Sequence, residues 1–468
     1  MQLNRDQLLE IIDANNGNLD TTKIPIDAIP EDIDVPGVLK VTSDGNIHYI
    51  PAIKVGELKI SSDFSREERR TIEIASGFQA RNITIICHDN VVFGDNVKIT
   101  GSLDIRRSSH VTFGDNLFVG REIIDFEGET EFGQQLRVGD RISVSLAAGP
   151  IRISEYSEVG FLHAPKPNSG EREHYPDLHA ETIERLPAHS KFYCHVSGLA
   201  PGTQIDEDVY IAGNLYWGYG SSREDGSDNL PILKHALHID GCLLLSGAGA
   251  EFLIPDDSRI GTLDICDCQA NPIHLQLGTN VTVRTWPTVG GYILNAIPSQ
   301  FKTEMEFHCG SCELNDIAGD AYFGSHVVVR KCPLEHWPIK HHHGNLDLDF
   351  SKVRTLEPGT VIDGSLSLEF SDIEELVDIT VKGDLHIEDC SHLRSLQGTT
   401  VEGEIYMDDT TPVQTLQPEN LAHCTGLHWD LSPNVSLDSL ATFIEALQNI
   451  KGTHLDEDAC IEVKFRES

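Results

Sequence analysis

Between residues 344 and 416 the apolar positions follow one recurring phrase. Gly344, Gly364, Gly383 and Gly403 stand 20, 19 and 20 residues apart, and they open GNLDLDFSKVRTL, GSLSLEFSDIEEL, GDLHIEDCSHLRSL and GEIYMDDTTPVQTL. Alternation of apolar and polar residues predicts strands with one buried face. It points Leu346 and Leu348, Leu366 and Leu368, Leu385 and Ile387, and Ile405 and Met407 inward. A second inward pair follows each strand, Val353/Leu356, Ile373/Leu376, Leu393/Leu396 and Val413/Leu416, which predicts a corner and a second wall. Ile362, Val381 and Val401, each two residues before a glycine, supply a third inward contact per coil. One such coil cannot bury its own apolar edges, so stacking must complete the core.

The same spacing recurs near the N-terminus, where Phe93-Gly94-Asp95-Asn96 returns 20 residues later as Phe113-Gly114-Asp115-Asn116, and Gly101, Gly120 and Gly139 follow at intervals of 19. Weaker copies begin at Gly213, Gly241 and Gly261. The expectation is an all-β chain, a single parallel β-solenoid of roughly 20-residue coils over residues 21–435, closed by a capping helix at each end. The phrases of residues 344–416 resemble the short leucine-rich-like solenoid repeats of bacterial and phage proteins, with L-x-L-x-x-S-x-I-x-x-L from Gly364 to Leu376. Ser351 and Ser371 stand where a leucine-rich repeat usually has Asn, which leaves an open horseshoe and a closed β-helix both available. The resemblance implies a recognition surface and no particular ligand.

Residues 4–16 form the N-terminal cap (residues 1–20), with Asn4 as N-cap, Gln7 three residues on, Leu8, Ile11 and Ile12 on one face, and Gly17 after the end. A second amphipathic helix is expected over 437–450, opening a C-terminal cap and tail at 436–468. Capped ends argue against end-to-end filaments and leave the oligomeric state open. The rhythm breaks at 163–189 and 217–235, where Pro, Gly, Ser and charged residues predict loop insertions, the first with a short helix near Asp177–Arg185. Each insertion reads either as a seat of specificity or as a tolerated surface loop.

Charge narrows the partners. The chain has 74 acidic against 35 basic residues, a formal charge of −39 over 468 residues. Direct binding to nucleic acid or anionic membrane is disfavoured, and a basic protein surface is favoured. The N-terminus has neither the basic start nor the unbroken apolar run of a secretory signal, and 11 irregularly spaced cysteines do not spell a disulfide framework. A cytoplasmic setting with reduced thiols is expected, with signal-less secretion as the alternative.

Asp349, Glu369, Glu388 and Asp408 occupy the same outward position in four successive coils. Stacked about 4.8 Å apart, such charges repel by roughly 1 kcal/mol each even in water. A basic partner or a bound cation would offset this, and so would a solvated face of splayed side chains. Tyr210, Tyr216, Trp217 and Tyr219 cluster in VYIAGNLYWGYG and predict an exposed aromatic patch, unless strand alternation buries half of them. Cys309, Cys312, Cys332 and His336 spell C-x2-C-x19-C-x3-H, which suits zinc. Because Cys312 and Cys332 lie one coil apart, an inward ladder of cysteines explains the spacing without metal, and no metal or cofactor is expected. His341, His342 and His343 are expected in a loop.

No nucleophile elbow, P-loop, dinucleotide fingerprint or HExxH motif is present. The FGDN turns are similar to those of hexapeptide acyltransferases, but a period of 20 departs from three hexapeptides per turn. The expected function is a non-enzymatic, protein-binding scaffold using the acidic column, the aromatic cluster and the insertions. The alternatives are an acidic DNA mimic and a β-helix carbohydrate-active enzyme whose carboxylates come from separate coils. About 20 coils at about 4.8 Å would carry one net negative charge per ~2.4 Å, against one per ~1.7 Å for duplex DNA.

Overall fold

The computed structural model describes residues 3–24, 26–42, 47–62, 70–86, 90–106, 110–125, 129–144, 151–164, 175–179, 183, 185–197, 199, 203–217, 233–246, 251–265, 272–287, 292–411, 420, 423–431 and 460–465. They fall into two compact units, residues 1–245 and 246–468. Each is a parallel β-solenoid, in which most strands pair in parallel with a counterpart about 20 residues away and a few reach across longer connections. Among the described residues no helix is long and apolar enough to cross a membrane.

In the first unit the helix runs Arg5–Ala14, and Asn4 and Gln7 exchange side-chain-to-backbone hydrogen bonds in a capping box. Leu8 and Ile12 are buried, and Gly17 ends the helix at φ +84°, in the left-handed region that favours glycine. The chain then enters Leu19–Asp20, which pairs with Leu39–Lys40.

The FGDN repeat has a physical reading at each letter. Phe93, Phe113 and Phe132 are register partners on one wall, and their buried rings stack with centroids 4.4 and 5.2 Å apart. At Gly94 a Cβ would come 2.5 Å from the Ser76 backbone nitrogen, so only glycine fits against the preceding coil. Asp95 Oδ1 accepts the backbone N–H of Asp115 at 2.9 Å, and Asp115 Oδ1 accepts that of Gln134 at 2.8 Å. Asn96 and Asn116 sit at φ +59° and +61°, a conformation that asparagine tolerates better than most residues.

In the second unit the repeat closes on three sides over residues 344–411. One wall is an eight-stranded parallel sheet that includes Phe307–Gly310, Val327–Arg330, Leu346–Asp347, Leu366–Ser367, Leu385–His386, Glu404–Asp408 and Gly426–Leu431. The second pairs His336–Trp337 with Thr355–Leu356 and continues as single bridges to Glu375 and Ser395. The third stacks His341–His342, Val361–Ile362, Thr380–Val381 and Thr400–Val401. Leu346, Leu348, Val353, Leu356 and Ile362, with their equivalents in the next coil, fill the space between. Three walls around one core make a closed coil here, which settles the horseshoe alternative for this segment.

The four glycines stack at one corner, as their spacing requires. The N–H groups of Gly364, Gly383 and Gly403 donate to the carbonyls of Gly344, Gly364 and Gly383 at 3.1, 3.0 and 3.1 Å. The residue after each glycine extends the contact. Asn345 Oδ1 accepts from Ser365 N, Ser365 Oγ from Asp384 N, and Asp384 Oδ1 from Glu404 N, at 2.9, 3.0 and 2.8 Å.

Several local expectations change or pass out of view. Asp177–His179 is a strand rather than the start of a helix, because Leu178 enters the core beside Val196 of the next coil. Within the tail, Cys460–Phe465 is a strand paired with Gly426–Leu431. The helix expected over 437–450, the pair Val413/Leu416 and most of both insertions lie outside the described residues.

Candidate functional site

The outer face of the eight-stranded wall in the second unit carries two adjacent columns. The alternation that sends Leu366, Leu368, Leu385 and Ile387 inward leaves Asp347, Ser367, His386 and Tyr406, continued by His428, in one outward column. Asp349, Glu369, Glu388 and Asp408 follow two residues on in the other. The rings of His386, Tyr406 and His428 stack nearly parallel at 4.5 and 4.6 Å.

The acidic column is not uniform, and this corrects the expected exposed face. Asp349 is buried: its carboxylate accepts Ser367 Oγ at 2.6 Å and the Glu369 N–H at 2.9 Å, while the Arg330 guanidinium covers it at 3.1 Å. Burial, followed by the adjacent Asp347 carboxylate, pushes its pKa up despite these bonds. Asp408 is buried because it turns back along the chain, where Oδ1 accepts the Thr410 hydroxyl at 2.7 Å and the Thr410 N–H at 3.1 Å. Both act as structural groups, and neither offers a free carboxylate to a partner.

Glu369 and Glu388 remain half-buried at the surface. Arg330 is engaged with Asp347 and Asp349, and among the described residues no lysine or arginine pairs with Glu369 or Glu388. Burial, then the Glu388 and Asp349 charges, raises the pKa of Glu369. Glu388 lies 3.8 Å from His386 Nδ1, with a Glu369 oxygen within 4.8 Å of both groups, and its enclosed Oε2 lacks a hydrogen-bond partner among the described residues. Pairing with Glu388 raises the pKa of His386. Phe350 and Phe370, which directly follow Asp349 and Glu369, are 46% and 48% exposed and stack at 4.7 Å. The Lys331 ammonium already lies 5.9 Å from the centre of the Phe350 ring, an arrangement that attracts a cation to the ring face.

The aromatic cluster of the first unit divides as strand alternation dictates. Trp217 is buried at 1% exposure and so is corrected from a surface residue to a core one, while Tyr216 is half-buried and hydrogen-bonded to Asn214 at 2.8 Å. Tyr219 lies outside the described residues. The His195 ring meets those of Tyr216 and Tyr175 at 6.3 and 5.8 Å, and in a further contact Tyr193 meets Tyr210, which donates its hydroxyl to Asp240 at 2.5 Å. A cleft of about 590 Å³ elsewhere in this unit is lined by Glu31, Tyr49 and Glu73. Both glutamates are exposed, so the cleft lacks the desolvated carboxylic acid that glycoside hydrolysis needs.

The cysteines converge and the histidine of their motif does not. Cys309, Cys312 and Cys332 are buried with their sulfurs within 4.8 Å of one another. Cys309 and Cys312 form a disulfide, an exception to the expected reduced thiols, whereas Cys332 is free with its Sγ 3.2 Å from Cys312 Sγ. His336 faces outward and contacts Thr355 Oγ1 at 2.9 Å, because Trp337 takes the inward position of that strand. The tetrahedral set implied by the spacing is therefore not assembled. Comparison of the chain with protein-family models, with curated proteins and with solved structures gave no match.

Proposed function

We propose that this protein is a non-enzymatic binding scaffold that receives a basic segment of another protein on the outer wall of its second unit. The observation that carries the reading is the Glu369–Glu388 pair: two half-buried carboxylates held one above the other, without an ion pair to a lysine or arginine among the described residues, beside the exposed Phe350–Phe370 stack. A lysine or arginine fits both features, its methylene stem on the rings and its head group on the carboxylates. The wall is a rigid parallel ladder, so little ordering entropy is lost when it binds. Leucine-rich-like ancestry, with the recognition role it implies, is part of the same proposal.

A lysine-rich peptide with interspersed leucines serves as the probe, titrated by calorimetry at low ionic strength. Glu369→Gln with Glu388→Gln should weaken binding about tenfold, corresponding to roughly 1.4 kcal/mol. Phe370→Ala should weaken it further, and added salt should slow association. The control is Glu31→Gln with Glu73→Gln, an equal loss of charge in the first unit. Equal weakening by both pairs would reduce the effect to net charge and sink the reading.

A further inference from the structure

The third wall of the second unit brings together a different set of side chains. His341 and His343 flank His342, which is wholly buried and bonds through Nε2 to the Asn345 carbonyl at 3.0 Å. With His342 fixed inward, the strand sends His341 and His343 out on the same side, their rings 4.2 Å apart. The segment is thus an ordered strand, not the expected loop. In the next coil Val361 and Ile362 pair with His341 and His342, and the Asp363 N–H donates to the His342 carbonyl at 2.9 Å. This register places Asp363 opposite His343.

One oxygen, Asp363 Oδ2, lies 3.0 Å from His341 Nε2 and 3.2 Å from His343 Nδ1. All three atoms lie within 4.8 Å of one another. Zinc bound to imidazole nitrogen and carboxylate oxygen at about 2.0–2.2 Å, in tetrahedral geometry, spaces its ligand atoms about 3.3–3.6 Å apart. Only small side-chain rotations separate the observed arrangement from that one. The supporting contacts leave the needed atoms in place. Lys382 Nζ holds the other carboxylate oxygen, Oδ1, at 2.7 Å, and Tyr322 packs against the His343 ring at 5.3 Å.

We propose that His341, His343 and Asp363 form a surface site for one divalent transition-metal ion of the zinc class, with water completing its coordination. Two imidazoles and one carboxylate select zinc, nickel or copper over calcium and magnesium, which require mostly oxygen ligands. Binding replaces the two hydrogen bonds to Asp363 Oδ2 with metal–ligand bonds. It therefore releases any protons held by the ligand nitrogens and weakens on acidification. The site is separate from the Glu369–Glu388 pair and does not depend on the function proposed above.

Zinc chloride titrated into the full chain by calorimetry should show one equivalent. His341→Gln, His343→Gln and Asp363→Asn should each lower its affinity at least tenfold, with the circular dichroism spectrum unchanged because these groups lie at the surface. Lys382→Met should tighten binding severalfold by removing a cation near the ion. Cobalt in place of zinc should give a spectrum free of sulfur-to-metal charge transfer, which separates this site from the buried cysteines. Zinc binding that persists in His343→Gln, a sulfur-to-cobalt band, or no binding by the parent chain would overturn the proposal.

Discussion

Replacing Phe113 by alanine tests whether stability in the first unit is carried coil by coil. The ring is buried between Phe93 and Phe132, at 4.4 and 5.2 Å, so its loss opens a cavity between two interfaces. Phenylalanine-to-alanine changes in cores cost about 3–5 kcal/mol, and we expect the upper half of that range because both ring faces are stacked. Phe113→Leu keeps most of the volume and should cost about 1–2 kcal/mol. A cycle combining Phe93→Leu with Phe113→Leu should return a coupling of about 0.5–1.5 kcal/mol. In a repeat array each coil contacts only its neighbours, so the damage should be local. Hydrogen exchange followed by mass spectrometry should show lost protection at Asn90–Phe93, His110–Phe113 and Glu129–Phe132, with Tyr210–Ile211 little changed. A loss below about 1 kcal/mol, or protection lost evenly across the unit, would refute the reasoning.

Two more outcomes are expected in the second unit. His386 has its pKa raised above 6.5, chiefly by Glu388, so its stabilising charge is fully present below about pH 6.5 and is lost as pH rises through the raised value. Denaturant midpoints should fall over that window while binding of the basic peptide strengthens, and His386→Gln should flatten both profiles. Gly364→Ala would place a Cβ 2.6 Å from the Gly344 carbonyl carbon and press it against Asn345 Oδ1. It should destabilise by about 2–3 kcal/mol in urea titrations, and a neutral result would remove the close glycine corner from the account.

The inward positions were legible because a strand of period two exposes its buried set within four or five residues. Leu346, Leu366 and Leu385 follow that rule; Trp217 follows it too, but the density of aromatic residues around it points to a surface patch, and the alternation with Leu215 outweighs that signal. The fates of Asp349 and Glu369 could not be separated in the same way. They hold equivalent positions, and the difference lies in Arg330, a neighbour 19 residues before Asp349 that the next coil lacks. The corner roles of Asn345, Ser365 and Asp384 were hidden for a similar reason, since each side chain serves the backbone of another coil. The spacing of His341 and His343 was visible, but their convergence needed the register that sets Asp363 opposite them.

The corner ladder also has a direction in time. The side chains of Asn345, Ser365 and Asp384 each accept from a residue 19 or 20 places later, and the carbonyls of the stacked glycines accept in the same sense. During synthesis the acceptor is therefore in place before its donor has been made. A newly emerged coil finds its corner contacts on the coil already folded and need not wait for residues still to be added. Along this corner, the chain can be wound onto itself at the pace of translation, each coil acting as the template for the next.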